Sequence, residues 1–169
     1  ENNVKSAYLS NRKVIAFATH GLVPGDLNGL DQPALALTAP EVAGIDGDGL
    51  LTMEEILALK LNADWVVLSA CNTGSGDGAG GEAVSGLGRA FFYAGARSLL
   101  VSNWPVETDS ARILTTEVFK RVAADPKLTR ADALRQTMLW LMDNAGQMGA
   151  SGKMEYSYAH PMFWAPFVL

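Results

Sequence analysis

Two side chains in this sequence can do chemistry together: His20, which is followed by Gly21, and Cys71, the single cysteine. A neutral imidazole can take the thiol proton, or an imidazolium can hold a thiolate, and either arrangement makes a sulfur nucleophile for acyl transfer. Gly21 has no side chain, so its backbone N–H can approach a substrate carbonyl closely. Together with the N–H of Cys71 it could stabilise a tetrahedral oxyanion. The plainer account of the same residues stays open: a lone cysteine at the end of a strand packs as a small hydrophobe, and His-Gly is at home in a turn. The second histidine, His160, precedes Pro161 beside an aromatic run and reads as a packing or loop-fixing residue.

For His20 and Cys71 to meet, strands must deliver them to one rim. Residues 13–19 (KVIAFAT) read as a short buried strand with His20 at its carboxyl end, followed by a turn-rich stretch through Pro24, Gly25 and Asn28. Residues 65–70 (WVVLSA) are apolar almost throughout, as suits a strand buried on both faces of a parallel sheet, and end at Cys71. A third run, residues 97–104 (RSLLVSNW), is stopped by Pro105, and residues 163–169 read as a last strand. In an open parallel sheet, sites form where the carboxyl ends of strands meet the crossover loops. If the strands of His20 and Cys71 are neighbours, about 4.8 Å apart, their side chains emerge within reach of each other.

Helices of crossover length lie between these strands. Thr52 to Glu55 is a capping box leading Met53, Ile56, Leu57 and Leu61 on one face. Residues 82–94 carry Val84, Leu87, Ala90 and Phe91, with Gly86 and Gly88 weakening the pattern and Gly95 stopping it. A further helix begins near Thr108 or Asp109, places Ala111, Leu114, Val118 and Val122 in register and stops at Pro126. Thr129 to Asp132 resembles another capping box, with Leu134, Met138, Leu141 and Met142 behind it. Strand alternating with helix is the α/β pattern.

Composition narrows the classes. With 49% hydrophobic and 18% charged residues in 169, the chain can build a core, as one globular domain would, and is not a disordered segment. Thirteen Lys plus Arg against 18 Asp plus Glu leave a net charge of −5 with no basic block, so nucleic acid is not an expected partner. No apolar stretch approaches the roughly 20 residues that span a bilayer, and no leader opens the chain, so no membrane partner and a cytoplasmic location are expected. The run Gly76-x-Gly78-x-x-Gly81 begins too late after its strand for a dinucleotide fingerprint, and no acidic residue ends the next strand. Asp46-Gly47-Asp48-Gly49 with Glu55 lacks the first acidic ligand of a calcium loop and reads as a turn feeding Thr52. No cofactor and no metal are expected.

Several stretches taken together resemble one family. They are Phe17-Ala18-Thr19-His20-Gly21, Leu50-Leu51-Thr52 ahead of Glu55-Ile56, and Val66-Val67-Leu68-Ser69-Ala70-Cys71-Asn72-Thr73-Gly74. The series continues with Leu87-Gly88-Arg89-Ala90-Phe91, Tyr93-Ala94-Gly95-Ala96-Arg97, Asn103-Trp104-Pro105-Val106, His160-Pro161 and Phe163-Trp164-Ala165-Pro166-Phe167. In this order they are similar to the CHAT peptidases, caspase-like and separase-related domains often found after tetratricopeptide repeats. The resemblance implies a caspase-like three-layer α/β/α fold with a mostly parallel sheet. It implies a cysteine endopeptidase with His20 as general base, Cys71 as nucleophile and the amides of Gly21 and Cys71 as oxyanion hole.

The same resemblance implies that residues 1–169 are the C-terminal catalytic part of a longer bacterial protein, lacking the sheet's first strands. The substrate would be a protein or peptide, and neighbouring tetratricopeptide-type repeats would regulate the site. In relatives that cut after basic residues an acidic side chain follows the Trp-Pro-Val segment. Here Thr108 stands at that place, so Glu107 or Asp109 would have to substitute, with Trp104 at the cleft rim and Asp77, or Glu82, as weaker substrate contacts. The alternative is a catalytically silent caspase-like module that binds a protein partner through the same cleft.

Overall fold

The computed structural model describes residues 1–44, 46–68 and 79–169, with side chains for all of these except 79–85. In chain order the elements are α1 (Asn2–Ser6), β1 (Val14–Phe17), β2 (Gly21–Leu22), β3 (Ala34–Ala36), α2 (Pro40–Ala43), β4 (Leu50–Thr52), α3 (Met53–Ala58) and β5 (Trp65–Leu68). There follow α4 (Ala79–Ala94), β6 (Leu99–Ser102), α5 (Thr108–Ala124), α6 (Arg130–Asn144), β7 (Gly146–Met148), β8 (Met154–Ser157) and β9 (Phe167–Val168). This is a mixed α/β fold with a mostly parallel central sheet, compatible with a three-layer α/β/α arrangement. The chain divides into two compact units, Glu1–Trp104 and Pro105–Leu169. Among the described residues no helix is long and apolar enough to cross a membrane.

In the first unit β5 lies between β1 and β6, parallel to both. All four of its side chains are buried, which is why the sequence there is an unbroken apolar run. β1 departs from the expectation of a buried strand: Val14 is 46% exposed, Ala16 is exposed and only Phe17 is buried. Its one sheet neighbour among the described residues is β5, so an apolar strand here keeps an uncovered side. The chain passes from β5 through α4 to β6, a parallel crossover.

Leu87, Ala90 and Phe91 of α4 are buried with Ile56 of α3, Phe17 and β5 residues in one core, and the Phe17 and Phe91 rings stand 5.5 Å apart. The packing is close at Gly86, where a Cβ would lie 3.1 Å from Met53 Sδ, so that side chain would have to shift by a few tenths of an ångström. At Gly88 a Cβ would lie 3.5 Å from Leu99 Cδ1, an ordinary contact. α4 ends as expected at Gly95, where φ is +112°. The Ala96 N–H bonds the Phe91 carbonyl at 2.9 Å and the Gly95 N–H bonds the Phe92 carbonyl at 3.0 Å, a Schellman cap.

A small antiparallel sheet, β2-β3-β4, was not legible in the sequence because its strands are only two or three residues long. Ala34, Leu35 and Leu51 are nonetheless fully buried, so β3 is a rigid member of the core. The capping box at Thr52 is present in both directions. Glu55 N–H reaches Thr52 Oγ1 at 3.4 Å, and Thr52 N–H reaches Glu55 Oε2 at 2.9 Å. α3 stops at Ala58, before Leu61, whose N–H instead bonds the Ala94 carbonyl at 2.8 Å.

In the second unit α5 and α6 pack on each other through Ser110, Leu114 and Val118 on one and Ala133, Leu134, Thr137 and Leu141 on the other. The cap at Thr129 differs from a box. Asp132 is one methylene shorter than Glu, and its carboxylate accepts from the Thr129 hydroxyl at 2.7 Å rather than from a backbone amide. β7 and β8 form a hairpin that the sequence reading missed. The expected strand over residues 163–169 is shorter, a single 3-10 turn (Pro161–Phe163) followed by β9.

Candidate active site

Register determines which residues the strands deliver to one end of the first unit's sheet. Ala16 of β1 is level with Val67 of β5, and Val67 is level with Leu100 of β6. His20, Cys71 and Trp104 each follow their own level residue by four positions in the chain. Because all three strands run parallel, their carboxyl ends lie at one edge of the sheet, with His20 following β1 and Trp104 following β6. Cys71 and Asp77 themselves lie outside the described residues, as does the Glu82 side chain.

His20 sits in the short connection from β1 to β2 and is exposed. Its backbone is held from two sides by one residue of β3. The Ala36 N–H donates to the His20 carbonyl at 2.8 Å, and the Thr19 hydroxyl donates to the Ala36 carbonyl. Gly21 stands opposite Leu35. Since Ala36 bonds to His20 and the antiparallel ladder alternates, Gly21 and Leu35 occupy a position where neither bonds the other. The Gly21 N–H is therefore not spent on the β2–β3 ladder and points to the other side of β2. The structure thus holds the His20 backbone from two sides and leaves the Gly21 N–H off the β2–β3 ladder.

A family model for the CHAT domain matches residues 1–169. The chain belongs to the CHAT family. CHAT domains are caspase-like and often peptidases. None of the curated proteins matches the sequence.

In this CHAT domain the remaining sequence candidates fall out differently. Trp104, in the bend after β6, is 42% exposed. In the second unit Glu107 is the N-cap of α5, and both of its carboxylate oxygens are engaged. Oε1 accepts from the Asp109 N–H at 2.9 Å and Oε2 from the Ser110 N–H at 2.7 Å. Burial pushes this carboxyl up, but the two amides and the hydroxyls of Ser110 and Tyr158 outweigh that and hold it below its ordinary value. Tyr158, fully buried, is packed by Phe163 at 4.8 Å between ring centres, and its hydroxyl also donates to Gln147 Oε1 at 3.3 Å. Desolvation first, then the charge of Glu107, raises the phenol to about 12. Asp109 is freer: its side chain is about half exposed (47%) and faces Arg112 at 3.3 Å.

Two features set aside on sequence grounds have structural employment. His160 caps the turn at Pro161–Phe163, with Nδ1 accepting from the Met162 N–H at 3.2 Å. In the acidic turn Asp48 accepts from the Leu50 N–H at 2.9 Å, and the Asp48 and Gly49 N–H groups donate to Glu1 Oε2 at 3.0 and 3.1 Å. Glu55 is committed to Thr52 and to Lys5. Among the described residues no cluster of three or more His, Cys, Asp or Glu is placed to hold a metal. Sequence reasoning overlooked Thr19, which bonds Ala36 beneath His20, and Tyr158, which bonds Glu107. The only signal for Thr19 was a hydroxyl residue directly before the histidine.

Proposed function

We propose that this CHAT domain is a cysteine endopeptidase with His20 as general base and Cys71 as nucleophile. The observation that carries the reading is the shared register of Ala16, Val67 and Leu100 in three adjacent parallel strands, since His20, Cys71 and Trp104 each stand four positions further on in the sequence. The Cys71 thiol proton passes to the His20 imidazole and the sulfur attacks the peptide carbonyl carbon. The oxyanion is held by the N–H groups of Gly21 and Cys71. The imidazolium returns its proton to the leaving amine as the C–N bond breaks, leaving a thioester. Water, deprotonated by His20, then releases the acid and restores the thiol.

Trp104 is proposed as an apolar wall for the substrate. Of the two acidic residues after it, Asp109 is assigned to a basic substrate side chain, because the oxygens of Glu107 are engaged in capping. Glu107 supports Asp109 through its amide, and Asp77 is a second, weaker acidic contact. Regulation by neighbouring tetratricopeptide-type repeats belongs to the same proposal.

A peptidyl electrophile tests the chemistry without a known substrate. The expected result is a covalent adduct on Cys71 by mass spectrometry, lost in Cys71→Ala and in folded His20→Ala. An adduct that forms equally in His20→Ala overturns the dyad. Absence of any Cys71-dependent adduct or cleavage in the full-length protein favours the silent, partner-binding alternative.

A further inference from the structure

We infer that Thr19 is a positioning residue for His20 and Gly21, acting through a two-point clamp on Ala36. The inference rests on the reading of His20 as the base. The connection from Phe17, the last residue of β1, to Gly21, the first of β2, is three residues long and carries His20 exposed at its end. An exposed imidazole on a short connection can serve as a base only if the backbone beneath it is held, since small misplacements of reacting groups cost large factors in rate.

The clamp supplies that hold. The Thr19 hydroxyl donates to the Ala36 carbonyl, and the Ala36 N–H donates to the carbonyl of the next residue, His20, at 2.8 Å. Ala36 is a firm anchor. It is paired with Leu50 of β4, the adjacent Leu37 N–H bonds the Gly49 carbonyl at 2.6 Å, and its neighbours Ala34 and Leu35 are fully buried. The same two bonds place Gly21 opposite Leu35 at the unbonded step of the ladder, which turns the Gly21 amide away from β3. Thr19 therefore sets two parts of the reaction at once, the base and one oxyanion donor. In this role it acts through Ala36.

Thr19→Val removes the hydroxyl and keeps the branched shape, whereas Thr19→Ser keeps the hydroxyl. In the full-length protein the expected result for Thr19→Val is a rate of Cys71 modification by a peptidyl electrophile, and a kcat where turnover is seen, lower by about 10²-fold with KM within about threefold. Hydrogen exchange at the Ala36 amide should accelerate. Thr19→Ser should restore the rate to within about threefold of wild type. A Thr19→Val protein that reacts at the wild-type rate overturns the inference, as does a folded Thr19→Ser protein as slow as Thr19→Val, which would make shape rather than the hydrogen bond the cause. Should Thr19→Val fail to fold, Thr19→Ala takes its place, and a folded Thr19→Ala protein with the wild-type rate overturns the inference. If the wild-type protein itself forms no Cys71 adduct, the proposed function fails. A reactive wild type with unchanged Thr19→Val fails only the role of Thr19.

Discussion

At the scale of single residues, hydrogen-bond commitments separate side chains that look equivalent in sequence. Glu107 and Asp109 are two acids one residue apart, yet one is consumed by the helix terminus and the other is left half exposed. A carboxylate that accepts from two terminal N–H groups satisfies donors that have no partner within the helix, which is why an N-cap is a strong sink for an acid. Glu107→Ala is expected to cost about 1–2 kcal/mol by chemical denaturation. Tyr158→Phe is expected to cost about 1 kcal/mol, because the hydroxyl shared with Gln147 and Glu107 is lost while the ring stays packed. The double variant should lose less than the sum of the two single losses, since both remove parts of one network. Asp109→Asn should leave stability within about 0.5 kcal/mol while raising KM for peptides cut after Arg or Lys relative to neutral ones.

Caps and close approaches control the elements. The sequence located the ends of α3, α4, α5 and α6 to within a few residues because their signals are local: Thr52 with Glu55, Gly95, Pro126 and Thr129. Gly95 carries the most constraint. Its φ of +112° suits only glycine, and a side chain there would meet the Leu61 carbonyl. Gly95→Ala is expected to lower stability by more than about 2 kcal/mol and to broaden the thermal transition of the first unit. The short strands β2, β3 and β4 had no local signal. Two or three residues cannot show an alternation, and what makes them strands is their pairing with one another. The clamp on His20 belongs to that pairing and was invisible for the same reason.

For the whole molecule, several carboxylates and one lysine tie distant segments together and make stability depend on pH with a definite sign. Lys5 bridges Glu1, at 2.5 Å, and Glu55, so that α1 is held to the turn before β4 and to α3. The Lys5 hydrogen bond is the main reason the Glu1 carboxyl falls from 4.5 to about 2. Burial raises Glu55, but Lys5 and Thr52 bring it below its ordinary value, as the caps do for Glu107. Carboxyls lowered in the folded state contribute stability that is fully present above their unfolded value, near 4.5, and is lost as pH falls through their folded values. Lys5, raised by Glu1 and Glu55, contributes stability that is fully present below 10.5 and lost as pH rises through its folded value. Denaturation midpoints are therefore expected to be flat from about pH 5 to 10 and to decline between pH 4.5 and 2. Glu1→Gln should flatten the acid decline, and an unchanged acid limb in that variant would show that the Glu1 carboxylate contributes nothing to it.

The sequence by itself determined the α/β class, the long helices with their caps, a buried strand read over 65–70 that the structure describes as Trp65–Leu68, and His20 and Cys71 as the candidates for thiol chemistry. Each of these is written in local periodicity, a capping residue or a rare side chain type. Only the tertiary structure decided that β1 and β6 flank β5 in a register that brings the carboxyl ends of the three strands to one edge, with His20 and Trp104 following two of them. It also decided that β1 keeps an exposed side, that Glu107 is a cap, and that Ala36 holds the backbone of His20. Those are outcomes of pairing between segments far apart in the chain, and no local pattern encodes which strand a short apolar run will choose as its neighbour.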